Sequence, residues 1–219
     1  MSLKTKSFAS EGIDKIDVNC NIFRIRVVAS PSDMIEISWM DTAMRSLEII
    51  EAHGVIRILD HAAIGIYGTL ALINLKKDAQ LLVKLPASYA GKAVFQAKNE
   101  PIHISDISSR ATVGISTSTG EIILENAGFN QLDIRGNAGR VSCYSLDVGE
   151  SAAITTRSGA ILCNLLGNET DYCLSVSTRS RRNNANGSYG SGAKKVLLNS
   201  EHGEIQFSFQ NDLPVDRFA

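Results

Sequence analysis

VGISTSTGEIIL (113–124), LDIRGNAGRVSC (132–143) and AAITTRSGAILC (152–163) are three versions of one twelve-residue unit, Φ-x-Φ-x-x-x-x-G-x-Φ-x-Φ, in which Φ is apolar. AVFQAKNEPIHI (93–104) and VLLNSEHGEIQF (196–207) share the form. The glycine position reads Glu100, Gly120, Gly139, Gly159 and Gly203, and the first four recur at steps of 20, 19 and 20 residues. Period-two alternation within each Φ-x-Φ predicts a short strand with one buried face. The glycine between two such strands predicts a turn that needs positive φ or a close approach of neighbouring chain. One unit cannot bury its own apolar face, so like units are expected to stack and share a core.

The fold expected from this spacing is all-β: a parallel β-solenoid (β-helix-like) of roughly 20-residue coils. Ile107, Ala127, Leu146 and Leu166, seven residues past the glycine position, would line the return side of each coil. A sixth segment fits in part. Leu174 and Val176 begin it, but Arg181 stands at the glycine position and Asn183 at the next Φ. Stacking would set Glu121 beside Arg140, Arg182 beside Glu204 and Arg179 beside Glu201, with Arg157 and Arg179 as unfavourable neighbours. It would also stack Cys143 on Cys163 in the core. An antiparallel meander of hairpins is the competing architecture, because alternation alone does not separate the two.

Working outward, IDKIDV (from Ile13), FRIRVV (23–28), MIEISW (34–39), LEII (47–50) and VIRILD (55–60) read as further strands. They do not show the twelve-residue unit and are expected to form a less regular N-terminal β cap. The organisation expected is a single domain over 1–219, irregular over 13–80 and regular over 81–209. Residues 61–80 break the pattern and suggest a buried connection, a protruding hairpin, a short helix or an oligomer contact.

The 219 residues carry 22 Lys+Arg against 23 Asp+Glu, a net charge of −1, which excludes bulk electrostatic affinity for nucleic acid or acidic membrane. No run approaches the length of a transmembrane helix. Met1 to Asp14 lack the apolar core of a signal peptide, which points to the cytoplasm; the cell envelope is the alternative if the chain is part of a longer one.

Chemistry-bearing motifs are sparse. Cys20, Cys143, Cys163 and Cys173 form no C-x-x-C, and His53, His61, His103 and His202 fall into no metal-ligand spacing. The cysteines read as buried thiols and the histidines as solvent-facing. No phosphate loop, dinucleotide fingerprint or nucleophile elbow occurs, so no cofactor, metal or catalytic residue is expected. The most distinctive polar stretch is STRSRRNNANGSYGSGAKK (177–195). Its Arg179, Arg181, Arg182, Tyr189, Lys194 and Lys195 are the candidate ligand contacts, as a flexible basic loop for an anionic group, against a plain solvated insertion.

STSTGEIIL and TRSGAILC, with LLVKLPASYAGKAVFQAKNEPIHI (81–104) and GSGAKKVLLNSEHGEIQF (190–207), resemble the bacterial putative-adhesin family of domains of unknown function, over roughly residues 13–209. That resemblance implies a β-solenoid, often near the bacterial envelope, without an established catalytic site. The function expected is a non-catalytic binding or scaffold module. Its partner would be a glycan or envelope component rather than nucleic acid. The alternatives are a carbohydrate-active β-helix enzyme, which needs two carboxylates on an outward groove, and a self-assembling homo-oligomeric module.

Overall fold

A computed structural model describes residues 2–41, 45–62, 79–180 and 186–210. The chain is all-β. Its strands are β1 (Ser2–Ala9), β2 (Lys15–Asn19), β3 (Arg24–Ser30), β4 (Met34–Asp41), β5 (Arg45–Ala52), β6 (Val55–Ala62), β7 (Gln80–Pro86) and β8 (Lys92–Ala97). They continue with β9 (Ile102–Thr117), β10 (Ile122–Gly136), β11 (Val141–Thr156), β12 (Ile161–Leu166), β13 (Tyr172–Thr178), β14 (Gly187–Tyr189), β15 (Lys194–Ser200) and β16 (Ile205–Gln210). One 3-10 turn, Glu169–Asp171, is the only helical element among the described residues. All sixteen strands belong to one mixed sheet.

The repeat columns pair in parallel and in register. Phe95, Ile115, Ile134, Ile154 and Leu198 face one another in sequence of strands β8, β9, β10, β11 and β15. Ile104, Leu124, Cys143, Cys163 and Phe207 do the same along β9, β10, β11, β12 and β16. Parallel pairing excludes the hairpin meander for this region, because hairpins make antiparallel neighbours. Inward side chains of both columns join one core cluster. Each fully buried Ile or Leu contributes about 1.5–3 kcal/mol.

The long strands β9, β10 and β11 turn a corner at Asp106, Asn126 and Ser145, whose φ angles are 52°, 48° and 57°. Short polar side chains tolerate that left-handed conformation best. Asn126 Nδ2 donates to Asp106 Oδ1 at 3.0 Å, tying adjacent corners. Past the corner Ile107, Ala127 and Leu146 are buried as the spacing predicts. The next member of that column is Leu165, paired with Leu146, and not Leu166. A register shift between Cys143 and Leu146 takes up the corner residue of β11, and β12 has none to match it.

Four further differences from the sequence reading have clear causes. First, the N-terminal part does contain the unit. Ile16, Val18, Ile25 and Val27 pair with Ala93, Phe95, Ile102 and Ile104, so β2 and β3 extend the stack below β8 and β9. The glycine position there holds Phe23, fully buried, which hides the pattern. Second, β15, not β13, is the neighbour of β11, and β13 pairs on the far side of β15. Arg157 and Arg179 are therefore separated by a strand, and Glu201 meets Arg157, Nε to Oε2 3.7 Å, rather than Arg179. Third, Glu121 and Arg140 form no ion pair, since both point to solvent where the gain is small. Fourth, Cys173 is exposed while the other three thiols are buried; it falls on an outward position of β13.

The ends differ from the middle. β5 runs antiparallel to β6, β4 to β7, β1 to β4 and β14 to β13. Edge strand β1 carries Lys4 and Lys6, charges that discourage further pairing. Residues 63–78, which hold most of the 61–80 stretch, and Arg181, Arg182 and Asn183 lie outside the described residues.

Candidate functional site: an outward trough across six strands

The inward positions of β8, β9, β10, β11, β15 and β13 are filled by the core, so strand alternation turns the intervening residues to solvent. Register then arranges them in rows that cross the strands. The central row is Val94, Gly114, Asp133, Ala153, Leu197 and Ser175. One flank is Lys92, Thr112, Gln131, Ser151, Lys195 and Cys173; the other is Gln96, Ser116, Arg135, Thr155, Asn199 and Ser177.

Small residues at Gly114 and Ala153 lower the middle of this face into a trough. It holds a recess of about 470 Å³ bordered by Asp133, Ala153, Cys173, Lys195 and Leu197. A second recess of about 390 Å³ is bordered by Lys92, Val94, Gly114 and Arg135. Thr112 and Asp133 border both, so the two recesses adjoin on the same face. Leu197 is 41% exposed and supplies an apolar side chain in the middle of this face.

Within the trough Asp133 Oδ2 is 2.8 Å from Arg135 Nη2, so the carboxylate is already matched. At the rim Gln131 Nε2 donates to Glu150 Oε2 at 2.8 Å. That bond and one from Asn130 hold the Glu150 carboxyl below its ordinary value. The hydroxyls of Thr112 and Ser151 have no histidine beside them among the trough residues. His103 instead pairs with Glu125 at 2.9 Å, and His61 with Glu48 at 2.9 Å. No group of three or more His, Cys, Asp or Glu suited to a metal ion exists among the described residues.

Of the six residues singled out in the 177–195 segment, four lie among the described residues, and these four have different surroundings. Arg179 is exposed at the end of β13. Arg181 and Arg182 lie outside the described residues. The Tyr189 ring packs edge-on against Phe207 at 4.8 Å, a core-closing role. Lys194 Nζ lies 3.1 Å from Asp147 Oδ1 and 5.4 Å over the Tyr172 ring. Of the four described, Lys195 borders the trough. The segment is also tied at its described ends. Thr178 N donates to Asn186 Oδ1 at 2.7 Å and Asn186 Nδ2 to Thr178 O at 2.9 Å, which folds β14 back on β13. The trough was missed because its residues are ordinary one by one. Only register brings Lys92 and Lys195 onto one line, and the outward x positions of the repeat are the signal that held them.

These features define an all-β chain built from in-register parallel strands with antiparallel ends. Among solved structures it is similar to a putative cell adhesion protein from Clostridium sporogenes, at 10% identity over 95% of this chain and 99% of that one, with a TM-score of 0.51. Putative adhesins from Bacteroides fragilis (12% identity, 94% and 97% covered, TM-score 0.37) and Parabacteroides merdae (13% identity, 95% and 93% covered, TM-score 0.38) align more loosely. At these identities the likeness is one of fold. No protein-family model matches the sequence, and no curated protein matches it. Among the described residues no helix is long and apolar enough to cross a membrane.

Proposed function

We propose that the chain is a β-solenoid of roughly 20-residue coils acting as a non-catalytic, adhesin-like binding module, with the trough as its binding surface. The observation that carries this reading is the trough itself, two adjoining recesses on the outward face of six paired strands, where a long ligand finds repeated contacts at strand spacing. The Clostridium structure's description as a putative cell adhesion protein agrees with it. The carbohydrate-active alternative calls for two free carboxylates across a groove, and the one carboxylate bordering both recesses, Asp133, is matched by Arg135. In this reading Lys195 is a ligand contact, and Tyr189 and Lys194 support the end of the stack.

The test is a glycan array probed with the wild-type chain and with Ala153→Phe and Leu197→Asp. Both outward substitutions leave the core untouched, which melting curves verify. Binding by the wild type that both variants lose supports the reading. Turnover of a bound glycan, binding indifferent to both variants, or no glycan bound at all overturns it.

A further inference from the structure

One flank of the trough has a charge pattern that specifies what it takes. Lys92 pairs in register with Thr112, Thr112 with Gln131, Gln131 with Ser151, and Ser151 with Lys195. The row thus reads cation, hydroxyl, amide, hydroxyl, cation, and it spans about 19 Å, four inter-strand steps. Neither Lys92 nor Lys195 has an ion-pair partner among the described residues, and both are exposed. Neighbouring charges on this face are matched in two pairs: Asp133 with Arg135 at 2.8 Å, and Lys15, the register neighbour of Lys92, with Asp17 at 2.7 Å. Glu150, held by Gln131 at the rim, is an opposing charge beside the row.

We infer that the trough binds a linear acidic polysaccharide laid across the strands, with anionic groups on Lys92 and Lys195 and sugar hydroxyls on Thr112, Gln131 and Ser151. This rests on the trough being the binding surface and names its ligand class. Two free cations at the ends of an uncharged polar row match a chain that carries spaced charges between many hydroxyls. A single-stranded nucleic acid fits less well. It needs a denser track of cations and aromatic platforms for its bases, and no aromatic residue stands on the three rows. Glu150 sets an upper limit on affinity by repelling the same ligand.

The experiment titrates the full chain calorimetrically with polygalacturonate and with heparin. Methyl-esterified polygalacturonate, oligothymidylate and polyglutamate serve as comparison ligands. At least one of the two acidic polysaccharides binds, and more weakly as salt is raised. Fragments too short to reach from Lys92 to Lys195 bind poorly. Lys92→Gln and Lys195→Gln each weaken binding about fivefold, and Glu150→Gln strengthens it. Absence of binding by both acidic polysaccharides, equal binding by the esterified polymer, indifference to the lysine substitutions, or tighter lysine-dependent binding of oligothymidylate or polyglutamate overturns the inference. Ala153→Phe separates the two levels. If a neutral polymer binds and Ala153→Phe abolishes it while the lysine variants do not matter, the trough stands and the acidic class falls. If binding ignores Ala153→Phe as well, the trough itself is wrong.

Discussion

Gly203 rests on the carbonyl oxygen of Gly159, although the whole of β13 lies between them in sequence. A Cβ on Gly203 would overlap that oxygen. The same relation joins Gly159 to Gly139, Gly139 to Gly120, and Gly120 to the carbonyl of Glu100. None of these glycines has positive φ, so the constraint is proximity, not conformation. The column therefore specifies which turn lies on which, and it names β15 rather than β13 as the neighbour of β11. It follows that Gly139→Ala costs at least about 3 kcal/mol, because backbone cannot retreat from backbone. Gly114→Ala, whose Cβ would stand 3.9 Å from Val94 Cγ2, is neutral or stabilising by up to about 1 kcal/mol. Urea midpoints of the two variants check this; equal losses would refute the close-approach account.

Beside that column runs a buried hydroxyl network. Thr156 Oγ1 donates to Gly159 O at 2.6 Å and contacts Ser200 Oγ at 2.9 Å, and Gly203 N donates to Ser200 Oγ at 2.8 Å. Thr156→Val keeps the shape but strips Gly159 O and Ser200 of a partner, for a loss of about 1–3 kcal/mol. Thr155→Val, on the outward face, stays within about 0.5 kcal/mol. Chemical denaturation of both distinguishes a structural bond from a mere propensity effect, which would move them alike.

How much of this was legible beforehand depends on whether the feature was local. Each Φ-x-Φ pair and each turn glycine is a short-range signal, and Ile115, Ile134 and Ile154 do lie in register. The unit formed by β2 and β3 was equally local, yet Phe23 in the glycine place concealed it. The exchange of β13 and β15 was not local at all, because nothing within 172–178 states that a later strand will be inserted inside it. The trough belongs to the same class. Ala153 and Gly114 are unremarked small residues until register sets them side by side.

Leu165 and Leu166 put the register shift to the test. Leu165 is fully buried opposite Leu146, whereas Leu166 is half-buried. Leu165→Ala is expected to cost about 2–5 kcal/mol and Leu166→Ala clearly less. The reverse order in thermal or urea unfolding would restore the even spacing that the bare repeat suggests.

The four thiols divide by burial. Cys143 is raised well above the ordinary thiol value by its hydrogen bond with Cys163 and by burial, and burial raises Cys20 as well. Thiols held protonated and out of reach do not attack disulfide reagents. In the native chain one thiol, Cys173, reacts promptly with an aromatic disulfide reagent, and the remaining three react only on unfolding. Cys173→Ser removes the fast phase entirely; two fast thiols in the wild type would contradict the buried Cys143–Cys163 stack.

Asp60 gives the fold a pH dependence of definite sign. Its Oδ2 accepts from Asn21 N and Ile22 N at 2.6 Å each, fixing the turn between β2 and β3. Burial raises the carboxyl above its ordinary value and outweighs those two bonds, which act to lower it. A raised folded-state value means that the unfolded chain gives up its proton first as pH rises. The contribution is therefore fully present below about pH 3.9, the unfolded value, and is lost as pH climbs through the higher folded value. Asp60→Asn keeps an acceptor oxygen and removes the titration. Melting temperatures of the wild type relative to Asp60→Asn are thus expected to fall from the acid side of that window toward neutrality, with every other carboxyl common to both chains. A rise over the same range would mean that the two backbone bonds, not burial, govern this carboxyl, and parallel curves that the two cancel.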